Sequence, residues 1–197
     1  MISNASIYGL VLSGGKSTRM GEDKGLITYH DFPQREHLYH LLNEVCEQTF
    51  LSIRKDQKNE ISNSFKTIID KDEFRGPYNG LLSAHAVHPE VAWLVLACDL
   101  PLMDKKALQE LIAARNPSKM ASAFADAEDP LPEPLCAIWE PEALTQSIAY
   151  LEAGNGSCPR KFLINADVNL VFPEQKEVLL NANSRAEYEE ALLKIAL

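Results

Sequence analysis

The chain has 197 residues, 46% of them apolar and 24% charged, and a formal net charge of −9. That length allows a full hydrophobic core, and the composition is that of an ordinary globular protein. The acid excess argues against a general nucleic-acid surface, which needs a basic patch, and no apolar run approaches membrane-spanning length.

The N-terminal MISNASIYGLVLSGG has neither a basic region nor a signal-type cleavage pattern, so a cytoplasmic location is expected. Ile7–Leu12 is a continuous apolar run and reads as a buried strand. It leads into LSGGKSTRMGEDKG, residues 12–25, where Gly14, Gly15 and Gly21 share one short loop with Lys16, Arg19 and Lys24. Glycines let a backbone approach a ligand closely, successive N–H groups form a concave anion site, and the cations complete it. A loop of this kind is built to hold a polyphosphate. It is not the GxxxxGK[ST] loop of ATPases, because the earlier glycine of that motif would fall on Leu10.

Leu38, Leu41, Leu42 and Val45 follow helical spacing, and residues 50–53 and 66–69 read as strands. Pro77–Val87 suits a helix, and WLVLAC, 93–98, a second strongly buried strand. Asp104 is placed to cap a helix carrying Leu108, Leu111 and Ile112. Residues 120–124 and 135–139 read as strands, and 141–151 as a helix with proline in its first turn. Ser184 and Glu187 form a capping box ahead of Tyr188, Ala191, Leu192 and Ile195 on one helical face. The acidic, proline-rich DAEDPLPEP, 126–134, reads as a loop near the active face rather than a linker, and residues 1–197 are expected to form one domain. Cys46, Cys98, Cys136 and Cys158 form no CxxC pair and are expected to be reduced. The histidine pairs His37/His40 and His85/His88 are read as surface or packing residues.

Apolar strands alternating with helices predict an α/β sandwich with a mainly parallel sheet. Ligands of such sheets bind beyond the carboxyl ends of the strands, which puts the loop after Leu12 and the loop after Cys98 on one rim. In ACDLPLMD, 97–104, a buried strand runs out at Asp99, with Pro101 barring its continuation. A carboxylate there suits Mg²⁺, which binds through one or two carboxylates plus substrate phosphates. Asp before Pro is also ordinary turn chemistry.

LSGGKSTRMGEDKGL resembles the L-(A/S)-G-G-x-S-x-R-M-G-x-D-K-x-L signature of the MobA-like nucleotidyltransferases. ACDLP resembles their metal-binding strand end, RGPYNGLLSA (75–84) their GPLAG segment, and VLLNANSRAEYEEA (178–191) their NxNTPEEL close. The resemblance implies a Rossmann-like three-layer fold of the nucleotide-diphospho-sugar transferase type. It implies Mg²⁺-dependent transfer of a nucleotidyl group, with GTP as the donor and molybdopterin as the phosphorylated acceptor. Carried over by residue, Leu12, Ser13, Gly14 and Gly15 would meet the nucleotide through their backbone. Arg19 and Lys24 would hold its phosphates, Asp70 would lie near base and ribose, and Asp99 would bind Mg²⁺. Asn181 or Asn183 would complete the site, and Arg19, Lys24 and Asp99 would be the catalytic set. The chain departs from the family in Tyr78 and Asn79 of GPYNG and in lacking the GKP turn before the first helix. Arg160 and Lys161 of CPRKFLIN, 158–165, could face an anionic acceptor or be a solvated helix face. Two alternatives stay open: cytidylyl or sugar-phosphate nucleotidyl transfer on the same fold, and a noncatalytic nucleotide-binding regulator.

Overall fold

The strands are β1 (Ile7–Leu12), β2 (Gln48–Ile53), β3 (Thr67–Ile69), β4 (Ala92–Ala97), β5 (Ala121–Phe124), β6 (Cys136–Trp139) and β7 (Val168–Val171) in a computed structural model that describes residues 5–15 and 24–196. They form one sheet in the order β3-β2-β1-β4-β6-β5-β7. All neighbours are parallel except at β6, which runs antiparallel to both β4 and β5. The helices are α1 (Gln34–Asn43), α2 (Pro77–Val87), α3 (Lys105–Ala113), α4 (Pro141–Glu152), α5 (Pro159–Ile164) and α6 (Arg185–Ile195).

The sheet is covered on both faces, which is why its central strands read as unbroken apolar runs. On one face Leu38 and Leu42 of α1 and Leu108 and Leu111 of α3 pack on Val11, Leu51, Leu94 and Leu96. On the other, Leu81 of α2, Leu144 of α4 and Phe162 of α5 pack on Leu10, Trp93, Val95 and Trp139. These two cores make the expected three-layer α/β sandwich. A smaller cluster joins Ala191 of α6 to Tyr29 and Ala182, with Tyr188, Leu192 and Ile195 packed against it.

Register sets the site. Leu12 pairs with Ser52 on one side and with Ala97 on the other, so β1, β2 and β4 end level with one another. The residues that follow them therefore emerge on one rim.

The structure departs from the sequence reading at several elements. Strand β7 was not anticipated, and a helix at 158–165 was only one of two readings of that segment. β7 is half-buried along its whole length, so it shows no apolar contrast, and six-residue α5 is too short to display a helical period. α1 stops at Asn43, leaving Val45 beyond its end, and β4 stops at Ala97, leaving Cys98 in the turn.

Candidate active site

The rim holds a cavity of about 540 Å³ beyond the carboxyl ends of β1 to β4. Its walls come from the glycine loop after β1, Arg54 after β2, Asp70 after β3, Asp99 after β4, and the first turn of α2. Such a volume is within the usual range for a small-molecule site. The structure therefore brings Leu12, Ser13, Gly14, Gly15, Lys24, Asp70 and Asp99 to one cavity. Arg19, with Lys16, Gly21, Glu22 and Asp23, lies outside the described residues.

Lys24 opens a short 3₁₀ turn, Lys24–Leu26, at the far end of the loop. Its Nζ donates to Asn183 Oδ1 and stands 3.6 Å from Asp99 Oδ2. Both charged side chains are 22% exposed, so the pair is open enough to admit a ligand. The backbone explains how Asn183 arrives. Ala182 N donates to the carbonyl of Asp99 at 2.8 Å, which lays residues 181–183 against the end of β4. Glu187 then fixes the direction of the chain, its Oε2 accepting from Asn183 N at 2.8 Å and Ser184 N at 2.7 Å. Those hydrogen bonds hold the Glu187 carboxyl below its ordinary pKa. Asn181 is turned elsewhere, its amide donating to Leu179 O at 3.0 Å. Of the two late asparagines, it is Asn183 that meets Lys24.

The Asp99 turn is braced from α1 and from the segment before it. Gln34 Nε2 donates to Leu100 O at 3.1 Å. His30 Nε2 lies 2.9 Å from Pro101 O, and since a carbonyl can only accept, that nitrogen carries the proton. His37 stacks on His30 at 3.8 Å, and burial together with its neighbour pushes its pKa down to about 4. His37 packs, in keeping with the sequence reading, which did not address His30. Among the described residues no cluster of three or more His, Cys, Asp or Glu could hold a metal without help.

A divalent cation is nevertheless compatible with this corner. Asp99 lines the cavity and offers the oxygen donors that hard cations prefer, Asn183 Oδ1 stands beside it across Lys24, and a nucleotide would bring the remaining oxygens.

On the other side of the cavity, Asp70 is 9% exposed. Ser52 Oγ donates to its Oδ1 at 2.6 Å, and burial raises the carboxyl from 3.8 to about 6 against the opposing pull of that hydrogen bond. Asp70 also dictates Gly14: a Cβ there would stand 2.3 Å from Asp70 Oδ2, so no larger residue fits. Gly80 has an equivalent role in α2, where a Cβ would meet Ser52 Oγ at 2.2 Å and Leu12 Cδ2 at 2.8 Å. Its small size lets the helix close down on the strand ends.

Sequence reasoning missed Ser52 and Arg54, and named Asn79 only as a departure from the family pattern. All three line the cavity. For Arg54 the available signal was that residues just past any strand of this sheet belong to the same rim, whereas Ser52 lies within β2 and Asn79 within α2. Asn79 Nδ2 donates to Asp72 Oδ1 at 3.2 Å, a contact made by a residue at which the chain departs from GPLAG. Arg160 pairs with Glu133, in the loop before β6, while Lys161 is exposed. Glu133 stays above its ordinary pKa because burial outweighs Arg160.

Comparison with known proteins agrees with this geometry. The family model of the MobA-like NTP transferase domain matches residues 9–169. A molybdenum cofactor biosynthesis bifunctional protein of Synechocystis is 38% identical over 188 residues, covering 95% of this chain and 54% of that protein. The chain thus spans about half the length of that relative. A molybdenum cofactor guanylyltransferase of Ectopseudomonas mendocina is 30% identical over 178 residues, covering 89% of this chain and 86% of the relative. Among solved structures, molybdopterin-guanine dinucleotide biosynthesis protein A from Archaeoglobus fulgidus superposes with a TM-score of 0.78. That match covers 96% of this chain and 98% of the other at 19% identity, so it speaks to the fold.

Proposed function

The chain belongs to the MobA-like NTP transferase family and is a nucleotidyltransferase, and on that premise we propose that it transfers GMP from GTP to the phosphate of molybdopterin. The whole span 1–197 acts as one catalytic domain in the cytoplasm. Nucleotidyltransferases generally use a divalent metal, and Mg²⁺ is the ion proposed here.

An oxygen of the acceptor phosphate forms a bond to the α-phosphorus of GTP, the bond to the bridging oxygen breaks, and pyrophosphate leaves. No protein nucleophile is required, so catalysis consists of positioning and charge neutralisation. The glycine loop holds the nucleotide through its backbone. Lys24 and Arg19 neutralise the phosphate oxygens, and Asp70 faces the base and ribose. Asp99, with Asn183 beside it, would hold Mg²⁺, which when bound acts as a Lewis acid and template for the phosphates.

The observation that carries this reading is the meeting of Lys24, Asp99 and Asn183 on the rim that also bears the glycine loop. The test is transfer of label from α-³²P GTP to molybdopterin, with CTP and ATP in parallel. Label transfer from GTP alone supports the reading, and transfer from CTP instead would overturn the choice of donor. Asp99→Asn keeps size and removes charge. It should abolish turnover more than it weakens nucleotide binding, because the glycine loop remains. Full Mg²⁺-dependent activity in that variant would refute the assignment of Asp99.

A further inference from the structure

We propose that Arg54 is a positioning residue that presets the glycine loop for its nucleotide, an inference that rests on the nucleotide-binding reading above. Arg54 follows directly on β2. Its Nη1 donates to Gly14 O at 2.9 Å and reaches Gly15 O at 3.5 Å, while its Nε donates to Asp56 Oδ1 at 3.1 Å. The Arg54 backbone continues the same scaffold. Its N–H donates to Gln57 Oε1 at 2.9 Å, and Gln57 Nε2 donates to Ser13 O at 3.2 Å. Three consecutive carbonyls, those of Ser13, Gly14 and Gly15, are thus gathered by side chains from the segment after β2.

The consequence follows from peptide geometry. In a trans peptide the C=O and the next N–H point in opposite directions. Drawing the Ser13 and Gly14 carbonyls toward Arg54 and Gln57 turns the amides of Gly14 and Gly15 away from them. Both glycines line the cavity, and no acceptor for either amide is present among the described residues. Left to themselves, two adjacent glycines sample many conformations, and ordering them would weaken binding. Arg54 removes that cost in advance. A guanidinium suits the task because its planar fork holds the Gly14 carbonyl from Nη1 while Nε is anchored on Asp56, whereas an ammonium acts as a point charge. Nε and Nη1 face Asp56 and backbone carbonyls, and through those two donors Arg54 acts on the nucleotide by way of the loop.

The test is calorimetric titration of the full chain with ATP, CTP, GTP and UTP, each with Mg²⁺, in wild type, Arg54→Lys, Arg54→Met and Arg54→Ala. For the nucleotide that wild type binds best, Arg54→Met should weaken binding about ten- to a hundredfold, the scale of losing the charge-assisted hydrogen bond that holds the loop. The thermal midpoint without nucleotide should stay unchanged. Arg54→Lys should recover only part of the loss, and millimolar guanidinium should strengthen binding to Arg54→Ala. Wild-type affinity in Arg54→Met would overturn the proposal. Wild-type affinity in Arg54→Lys would also overturn it, by reducing the effect to charge. A lowered midpoint without guanidinium rescue would reduce Arg54 to a structural role. If wild type prefers another base, the GTP reading falls while the Arg54 comparison is scored on that base. If wild type binds no nucleotide, the reading and this inference fall together.

Discussion

At the scale of single residues, Lys24 and Asp70 frame the cavity with opposite electrostatic problems. Lys24 is shared between a carboxylate and a carboxamide, both still reached by water. Lys24→Ala should reduce nucleotidyl transfer by about a hundred- to a thousandfold, the usual effect of removing one well-placed charge-stabilising group. The thermal midpoint should move little, because a partly exposed ion pair stabilises weakly. Steady-state kinetics beside a melting curve would check both halves. Asp70 is instead a carboxyl made reluctant to ionise, with a folded pKa of about 6 against an ordinary 3.8. A raised folded pKa means the native state holds the proton more tightly than the unfolded chain. Its contribution to stability is therefore fully present below pH 3.8 and is lost as pH rises through 6. Asp70→Asn should stabilise the protein at pH 8 by about 1–2 kcal/mol, after discounting for solvent on the cavity side, and by almost nothing near pH 4. Urea denaturation across that range gives the answer, and a constant difference would refute it. Lys24, Asp99 and Asn183 were legible because each lies in a motif with its own local chemistry. Arg54 and Ser52 were not. IRKDQ reads as an ordinary charged exit from a strand, and only the register of β2 on β1 shows that the exit faces the glycine loop.

At the scale of elements, helix α6 is a clamp for the site as much as a cover for Tyr29. Ser184 Oγ accepts from Glu187 N at 3.3 Å, and Glu187 returns the favour to the backbone of Ser184 and Asn183. Ser184→Ala should cost about 1 kcal/mol, the usual value of an N-cap. It should also lower kcat, because the same turn aims Asn183 at Lys24. A variant that loses stability but keeps full turnover would separate cap from site. The capping box was readable from Ser184 and Glu187 three apart, and β1 and Pro77–Val87 matched their expected bounds. Asp104 likewise caps α3, its Oδ1 accepting from Ala107 N at 2.8 Å. Strand β7, which escaped, is four residues long at the far edge of the sheet, and α5, open to a helix reading at 158–165, is six. In both, burial is partial and hydrophobic periodicity has little length in which to show itself.

At the scale of the whole molecule, one buried ion pair ties distant parts together. Arg115, just past α3, donates from Nε and Nη2 to the two carboxylate oxygens of Glu140 at 2.7 and 2.8 Å, and from Nη1 to Ala5 O at 2.8 Å. The two side chains are 7% and 5% exposed. Arg115→Met leaves a buried carboxylate without its partner and should destabilise by about 3–5 kcal/mol, measurable by denaturant unfolding. Replacing both residues with apolar ones should recover much of that loss, since the pair itself is expensive to bury. Nothing local in the sequence marks this contact, which joins positions 25 residues apart across β5 and β6. The reversed strand β6 has a different reach. Because β5 ends and β6 begins at the same rim, residues 125–135 leave and re-enter the sheet on the ligand side without crossing it. The ends of that connection are tied to the sheet, Ala125 N to Val171 O and Glu133 N to Phe124 O, so the length is free to change in the exposed stretch 126–131, where the entropic cost of a longer loop grows only slowly. The segment is in effect an exchangeable cassette. It can be grafted or rewritten to alter what approaches the Asp99 side of the rim, while the glycine loop and its supports stay as inherited.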